Sequence, residues 1–155
     1  MTIEIVWGSG EGTTELNAFD TALKDAGIHN YNHIQLSSVI PKNEEIEIVG
    51  KHDEKWDVGE FTATVISENV SSTNGKNISC GIGWAMADEG GVFYEEHGDN
   101  PDNVKYKLKE GIKGAKDIRE NWNWNSDINT RIIQYDVEKI GAVVMAAIYN
   151  PVKQK

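Results

Sequence analysis

Residues 2 to 7 alternate around Ile3, Ile5 and Trp7, the period-two signature of a half-buried strand. The alternation stops at Gly8-Ser9-Gly10-Glu11-Gly12, which reads as a tight turn from strand into helix. Leu16, Phe19, Leu23 and Ala26 then recur at spacings of three and four, predicting a helix with one apolar stripe. Thr13 or Thr14 can cap its start and Gly27 can end it. Asn17, Asp20 and Lys24 share another face, so Asp20 is expected opposite the apolar stripe.

Residues 31 to 40 predict a second strand, closed by Pro41. The charged stretch 42–60 has little periodicity and reads as a long loop or short irregular strands. Residues 61–70 and 78–87, rich in small and β-branched side chains, predict two strands, joined by a turn at 71–76 that carries Asn74-Gly75. Gly90-Gly91 turns the chain into a further strand over 92–97. From Pro101 to Trp122, the recurrence of Val104, Leu108, Ile112, Ala115 and Ile118 predicts a long helix, with Pro101 in its first turn. Two last strands are expected over 128–136 and 141–149. No repeat or linker divides the 155 residues, so the pattern predicts a single domain. Many strands with two helices predict a layered α+β fold with largely antiparallel sheets.

Composition narrows the function by exclusion. The 25 acidic and 15 basic residues give a net charge of −10, which repels phosphate backbones and suits a cationic partner; no nucleic acid is expected. Cys80 is the only cysteine, so an intramolecular disulfide and a thiolate metal cluster are excluded, and an intracellular, cytoplasmic setting is expected. The start of the chain is too short and too acidic in its apolar run for a secretory signal, and no long apolar run suggests a membrane span.

Several motifs fail on their spacing. After Gly8 and Gly10 the third glycine falls at 12 rather than 13, no Gly-Lys-Ser/Thr follows, and Glu11 and Glu15 would repel phosphate. The four histidines lack ligand spacing, so no metal is expected. His97 lies beside Glu95 and Glu96, but on a strand Glu95 and His97 share a side that Glu96 does not. No Gly-x-Ser-x-Gly elbow supports a serine hydrolase, and the tryptophans lack a basic groove that would make them a stacking platform. What remains is the adjacent pair Ser37-Ser38, with Ile40-Pro41 after it, the helix segment Leu16-Asn17-Ala18-Phe19-Asp20, Asn32 and Glu95. An acyl shift and elimination at the serine pair would leave a pyruvoyl ketone at residue 38.

Taken together, these residues resemble the pyruvoyl-dependent arginine decarboxylase family. The likeness runs from Gly8-Ser9-Gly10-Glu11-Gly12 through Leu16 to Leu23 and Ala26-Gly27-Ile28 to Ser37-Ser38 and Ile40-Pro41, then continues more weakly at 91–98 and 141–149. The resemblance implies a four-layer α/β/β/α sandwich and self-cleavage between Ser37 and Ser38 into residues 1–37 (β chain) and 38–155 (α chain). It implies a pyruvoyl group derived from Ser38, with no metal and no pyridoxal phosphate, and decarboxylation of L-arginine to agmatine. Glu95 occupies the place of the proton donor, although a one-residue slip would give that role to Glu96. Asp20 matches the residue that receives the guanidinium, and Asn32 the residue beside the pyruvoyl group that is implicated in processing. A trimer or dimer of trimers with sites between protomers is implied as well, with no membrane partner. Two alternatives stand beside it: a pyruvoyl decarboxylase of another basic amino acid or amine precursor, and an unprocessed relative that binds or assembles without catalysis.

Overall fold

In the computed structural model, which describes residues 2–151, the first strand does not stop at the glycines. β1 (Thr2–Glu11) runs through Gly8 and Gly10 before the chain enters α1 (Glu15–Ala26). The glycines serve packing rather than turning. A Cβ on Gly8 would lie 2.7 Å from the Ala26 amide nitrogen, one on Gly10 2.5 Å from the Thr21 methyl, and one on Gly12 2.7 Å from the Asn17 carbonyl carbon. Bare backbone therefore lets α1 lie directly on β1. The helix face against it is correspondingly small: Ala18, Ala22 and Ala26 are fully buried and Leu23 nearly so, whereas Leu16 is 77% exposed. This corrects the expected stripe. Asp20 stands beside the exposed Leu16, and shares a pocket with it and Leu23, rather than opposite them, because the small alanines are what meet β1 and its glycines most closely. Thr14 caps the helix by accepting from the Asn17 amide, and Gly27, at φ +83°, ends it.

The segment expected as one strand over 31–40 is two. β2 (Asn32–Gln35) and β3 (Val39–Ile40) belong to different sheets, and Leu36-Ser37-Ser38 crosses between them. The charged stretch contains β4 (Glu45–Gly50); then follow β5 (Phe61–Ser71), β6 (Asn77–Ala87), β7 (Gly90–Gly98), α2 (Pro101–Ile118), β8 (Asn129–Asp136) and β9 (Gly141–Pro151). One sheet has the order β2-β5-β9-β1-β4, with β2 parallel to β5 and β4 parallel to β1. The other, β3-β7-β6-β8, is wholly antiparallel.

The sheets face one another through a core that includes Ile5, Val143 and Met145 from the first and Ile40, Ile82 and Phe93 from the second. α1 covers the outer face of the first sheet, on β1 and β9. α2 covers the outer face of the second, its Ile112 and Leu108 filling the space left by Gly83 and Gly81. The result is the expected α+β sandwich of four layers, α/β/β/α. α2 is shorter than its periodicity suggested: Val104, Leu108, Ile112 and Ala115 are buried, but Ile118 is 78% exposed and Trp122 lies past the end. The helix leaves the sheet after Ala115, where the Arg119 guanidinium donates to the Ala115 carbonyl.

Candidate active site

The serine pair lies on the crossing between the sheets, and its backbone is held at both ends. β2 pairs in parallel with β5, and the Leu36 amide extends that ladder by donating to the Thr64 carbonyl at 3.0 Å. Beyond the serines, β3 pairs with β7, Val39 opposite Val92 and Ile40 opposite Gly91. The same register carries back to Ser38, whose carbonyl accepts the Phe93 amide at 2.8 Å. Between these anchors the Val39 amide donates to the Ser37 carbonyl at 3.0 Å, closing a three-residue turn centred on Ser38. Among the described non-glycine residues only Asn43 has a positive φ, so this is an inverse γ-turn. Ser37 is exposed, Ser38 half-buried and Ile40 wholly buried.

His33 braces β2 from behind. Its Nε2 donates to the Ile28 carbonyl at 2.8 Å, and its Nδ1 meets the Thr64 hydroxyl at 3.0 Å. A carbonyl can only accept, so Nε2 carries the proton. Burial lowers the pKa of the ring, against the opposing effect of the Ile28 bond, and keeps it neutral near pH 7. Sequence reading gave His33 no role, because nothing in the spacing reveals that Ile28 and Thr64 converge on it.

The two neighbouring glutamates separate by strand alternation. Glu95 is two residues beyond Phe93 on β7 and shares its side, toward the gap between the sheets where Ser38 lies. Glu96 points to the other side, where its carboxylate meets the Lys107 ammonium of α2 at 3.5 Å; the same ammonium also donates to the His97 carbonyl. The Glu95 side chain opens to solvent, yet the protein beside it raises its pKa by desolvation. A hydrogen bond from its own amide opposes that shift and the Glu96 charge adds to it. A carboxyl whose neutral form is favoured in this way is suited to donate a proton.

Asp20 and Asn32 are placed apart from this centre. Asp20 is exposed and lines an open pocket on α1 with Thr14, Leu16, Asn17, Phe19 and Leu23. Among the described residues, no hydrogen bond or ion pair joins it to the serines or to Glu95. The Asn32 side chain, at the start of β2, donates to the Gly59 carbonyl at 2.9 Å rather than to either serine. One group that sequence spacing did not reveal, Glu4, His52 and Glu54, brings potential ligand atoms within 4.8 Å of one another; it involves neither His97 nor the serines.

The fold and this arrangement define a small four-layer α+β protein whose candidate chemistry centres on one backbone crossing and the carboxyl beside it. The model of a family described as "Pyruvoyl-dependent arginine decarboxylase (PvlArgDC)" matches residues 2–154. The chain is 34% identical over 150 residues to a pyruvoyl-dependent arginine decarboxylase of Halobacterium salinarum, covering 96% of this chain and 93% of that protein. It is 33% identical to one of Methanocaldococcus jannaschii, over 94% of this chain and 87% of the relative. To one of Pyrococcus furiosus it is 38% identical over 112 residues, 68% of this chain and 70% of the relative. The chain belongs to the pyruvoyl-dependent arginine decarboxylase family.

The residues present fit the cofactor of that family. A pyruvoyl group made from Ser38 keeps the serine carbon skeleton, loses the hydroxyl and replaces the amide nitrogen by oxygen, so it needs no more room than Ser38 already fills. The Phe93 amide would still hold the adjoining carbonyl. Among the described residues, no hydrogen bond from the Ser38 amide would be lost.

Proposed function

We propose that this chain is a self-processing carboxy-lyase that converts L-arginine to agmatine and carbon dioxide, using a pyruvoyl group formed from Ser38. The observation that carries the reading is the Ser37–Ser38 bond at the crossing between the sheets, with Glu95 two residues beyond Phe93, the strand partner of Ser38, in a chain matched by the family from residue 2 to 154. Cleavage would give residues 1–37 and 38–155, held together in one domain by the pairing of β2 with β5 and of β1 with β9. The single cysteine, buried and with its thiol pKa raised to about 12 chiefly by desolvation, suits the reducing cytoplasm.

The roles follow from the chemistry of each residue. A net charge of −10 attracts a cationic amino acid, and the Asp20 carboxylate receives the planar guanidinium in a paired hydrogen bond. Leu16, Phe19 and Leu23 beside it suit the methylenes of the substrate. The pyruvoyl ketone supplies an electron sink for the pair of electrons left when carbon dioxide departs. Glu95 returns a proton to that carbon, while Glu96, engaged with Lys107, holds β7 against α2. Asn32, with its amide anchored on Gly59, serves processing and positions the start of the crossing. Asp20 lies on the outer helix layer and the serines lie between the sheets, so the complete site is assembled between protomers of a trimer or dimer of trimers.

Two measurements on the purified protein test this. Intact mass is expected to show two fragments split after Ser37, the larger lacking the Ser38 amine. Carbon dioxide release from a panel of amino acids is expected to be fastest with arginine and to yield agmatine. Turnover of another basic amino acid without arginine would leave the pyruvoyl chemistry and replace the substrate. A single full-length species without activity would favour the non-catalytic relative.

A further inference from the structure

We propose that the two carbonyls flanking the Ser37–Ser38 bond are each activated by one backbone amide: Val39 N–H serves the acyl shift and Phe93 N–H the elimination that follows it. The inference rests on the self-cleavage reading above and assigns its two steps to two donors.

In the first step the Ser38 hydroxyl oxygen attacks the Ser37 carbonyl carbon, and negative charge gathers on the Ser37 carbonyl oxygen. The Val39 amide already points at that oxygen, at 3.0 Å. A donor fixed in advance where an oxyanion develops lowers the barrier without reorganisation. Collapse breaks the bond between the Ser37 carbonyl carbon and the Ser38 nitrogen. The hydroxyl proton passes through water to that nitrogen, leaving an ester and a free amine with no change in mass. In the second step water removes the Ser38 Cα proton, the electron pair forms the Cα–Cβ double bond, and the Cβ–Oγ bond breaks to release the Ser37 carboxylate. Charge now flows toward the Ser38 carbonyl oxygen, where the Phe93 amide donates at 2.8 Å. Hydrolysis of the resulting enamine releases ammonia and leaves the ketone.

The Val39 bond differs from an ordinary ladder bond, whereas the Phe93 bond extends the β3–β7 register by one residue. β3 is an edge strand with β7 on one side, and the Val39 amide turns back to the carbonyl two residues before it instead of joining a strand. The hydrogen bond of such a turn spans only two residues of the crossing and pairs no strands, so its donor contributes little to holding the sheets together. The Leu36 amide, in the same crossing, donates to Thr64 at 3.0 Å as a plain extension of the β2–β5 ladder and touches neither activated carbonyl.

The experiment replaces single amides by esters in the full chain, using the α-hydroxy counterparts of residues 36, 39 and 93. Loss of the full-length species is followed by intact mass, with and without a hydroxylamine quench that cuts an accumulated Ser37–Ser38 ester. Cuts at the installed esters give fragments of other masses. The residue 39 ester is expected to slow loss of the full-length species by about 100-fold or more, with no hydroxylamine-sensitive bond at 37–38. The residue 93 ester is expected to stall at full-length mass but to be cut by hydroxylamine at 37–38. The residue 36 ester is expected to cleave within a few-fold of the unmodified chain. Equal slowing by all three, near-normal cleavage of the 39 and 93 esters, or stalling of both at one species overturns the proposal. Should the residue 39 ester not fold, amide exchange in the Ser38→Ala chain decides: protection of the Val39 proton is expected, and exchange at the free-peptide rate overturns its role. An unmodified chain that never cleaves defeats the self-processing reading instead.

Discussion

Glu95 and Glu96 are adjacent carboxylates that strand geometry sends to different surroundings. Glu95 faces the gap between the sheets with a raised pKa, caused first by desolvation and then by the Glu96 charge. Glu96 is tied to Lys107. The Glu95→Gln variant is therefore expected to lose at least about 100-fold in kcat, the lower end of what a positioned acid contributes, while Glu96→Gln loses far less; steady-state kinetics on processed protein separates the two. As the proposed proton donor, Glu95 must be protonated to act, so wild-type kcat is expected to fall as pH rises through its elevated pKa. A kcat–pH profile of Glu95→Gln that retains this limb would assign it to another group. The alternation that distinguishes the glutamates was legible in the sequence, but Lys107 was not, because it comes from a helix whose position depends on how α2 lies across β6 and β7.

Among the elements, the contact between β1 and α1 is the most demanding. Two glycines on the strand and Gly12 just past its end meet the face of the helix that carries Ala18, Ala22 and Ala26, and a single added methyl at Gly8 would press on the backbone of α1 near Ala22 and Ala26. Gly8→Ala is expected to cost about 1–3 kcal/mol, the usual range for overpacking a closed contact, read as a lower denaturant midpoint in equilibrium unfolding. The sequence showed a helix here and both its caps, since Thr14 and Gly27 act locally. It found Leu23 and Ala26 on the buried face but put Leu16 and Phe19 there in place of Ala18 and Ala22, because the former are the more hydrophobic residues, whereas backbone proximity selects the smaller ones. The same displacement leaves Leu16, Phe19 and Leu23 around Asp20, turning an expected polar face into a pocket with apolar walls and one carboxylate.

For the whole molecule, the four layers keep Asp20 outside α1 and the serines between the sheets, so the proposed substrate-binding and cleavage residues share neither a helix nor a sheet. Under the proposed assembly, mixing Asp20→Ala with Ser38→Ala protein, after dissociation and reassembly, is expected to give activity well above either variant alone, because some interfaces would then pair an intact Asp20 with an intact Ser38. Activity no higher than the sum of the separate variants would place the whole site within one protomer. The sequence by itself determined the α+β class, both helices and most strands, since hydrophobic period and caps are local, and the serine pair carried the family resemblance through its neighbours. Only the tertiary structure decided that residues 31 to 40 divide between two sheets at the serines and that the glycines pack against α1. It also placed the Val39 and Phe93 amides on the carbonyls beside the Ser37–Ser38 bond. Every residue but proline has a backbone amide, so its identity carries no trace of where that amide will point; the pairing of distant strands sets it.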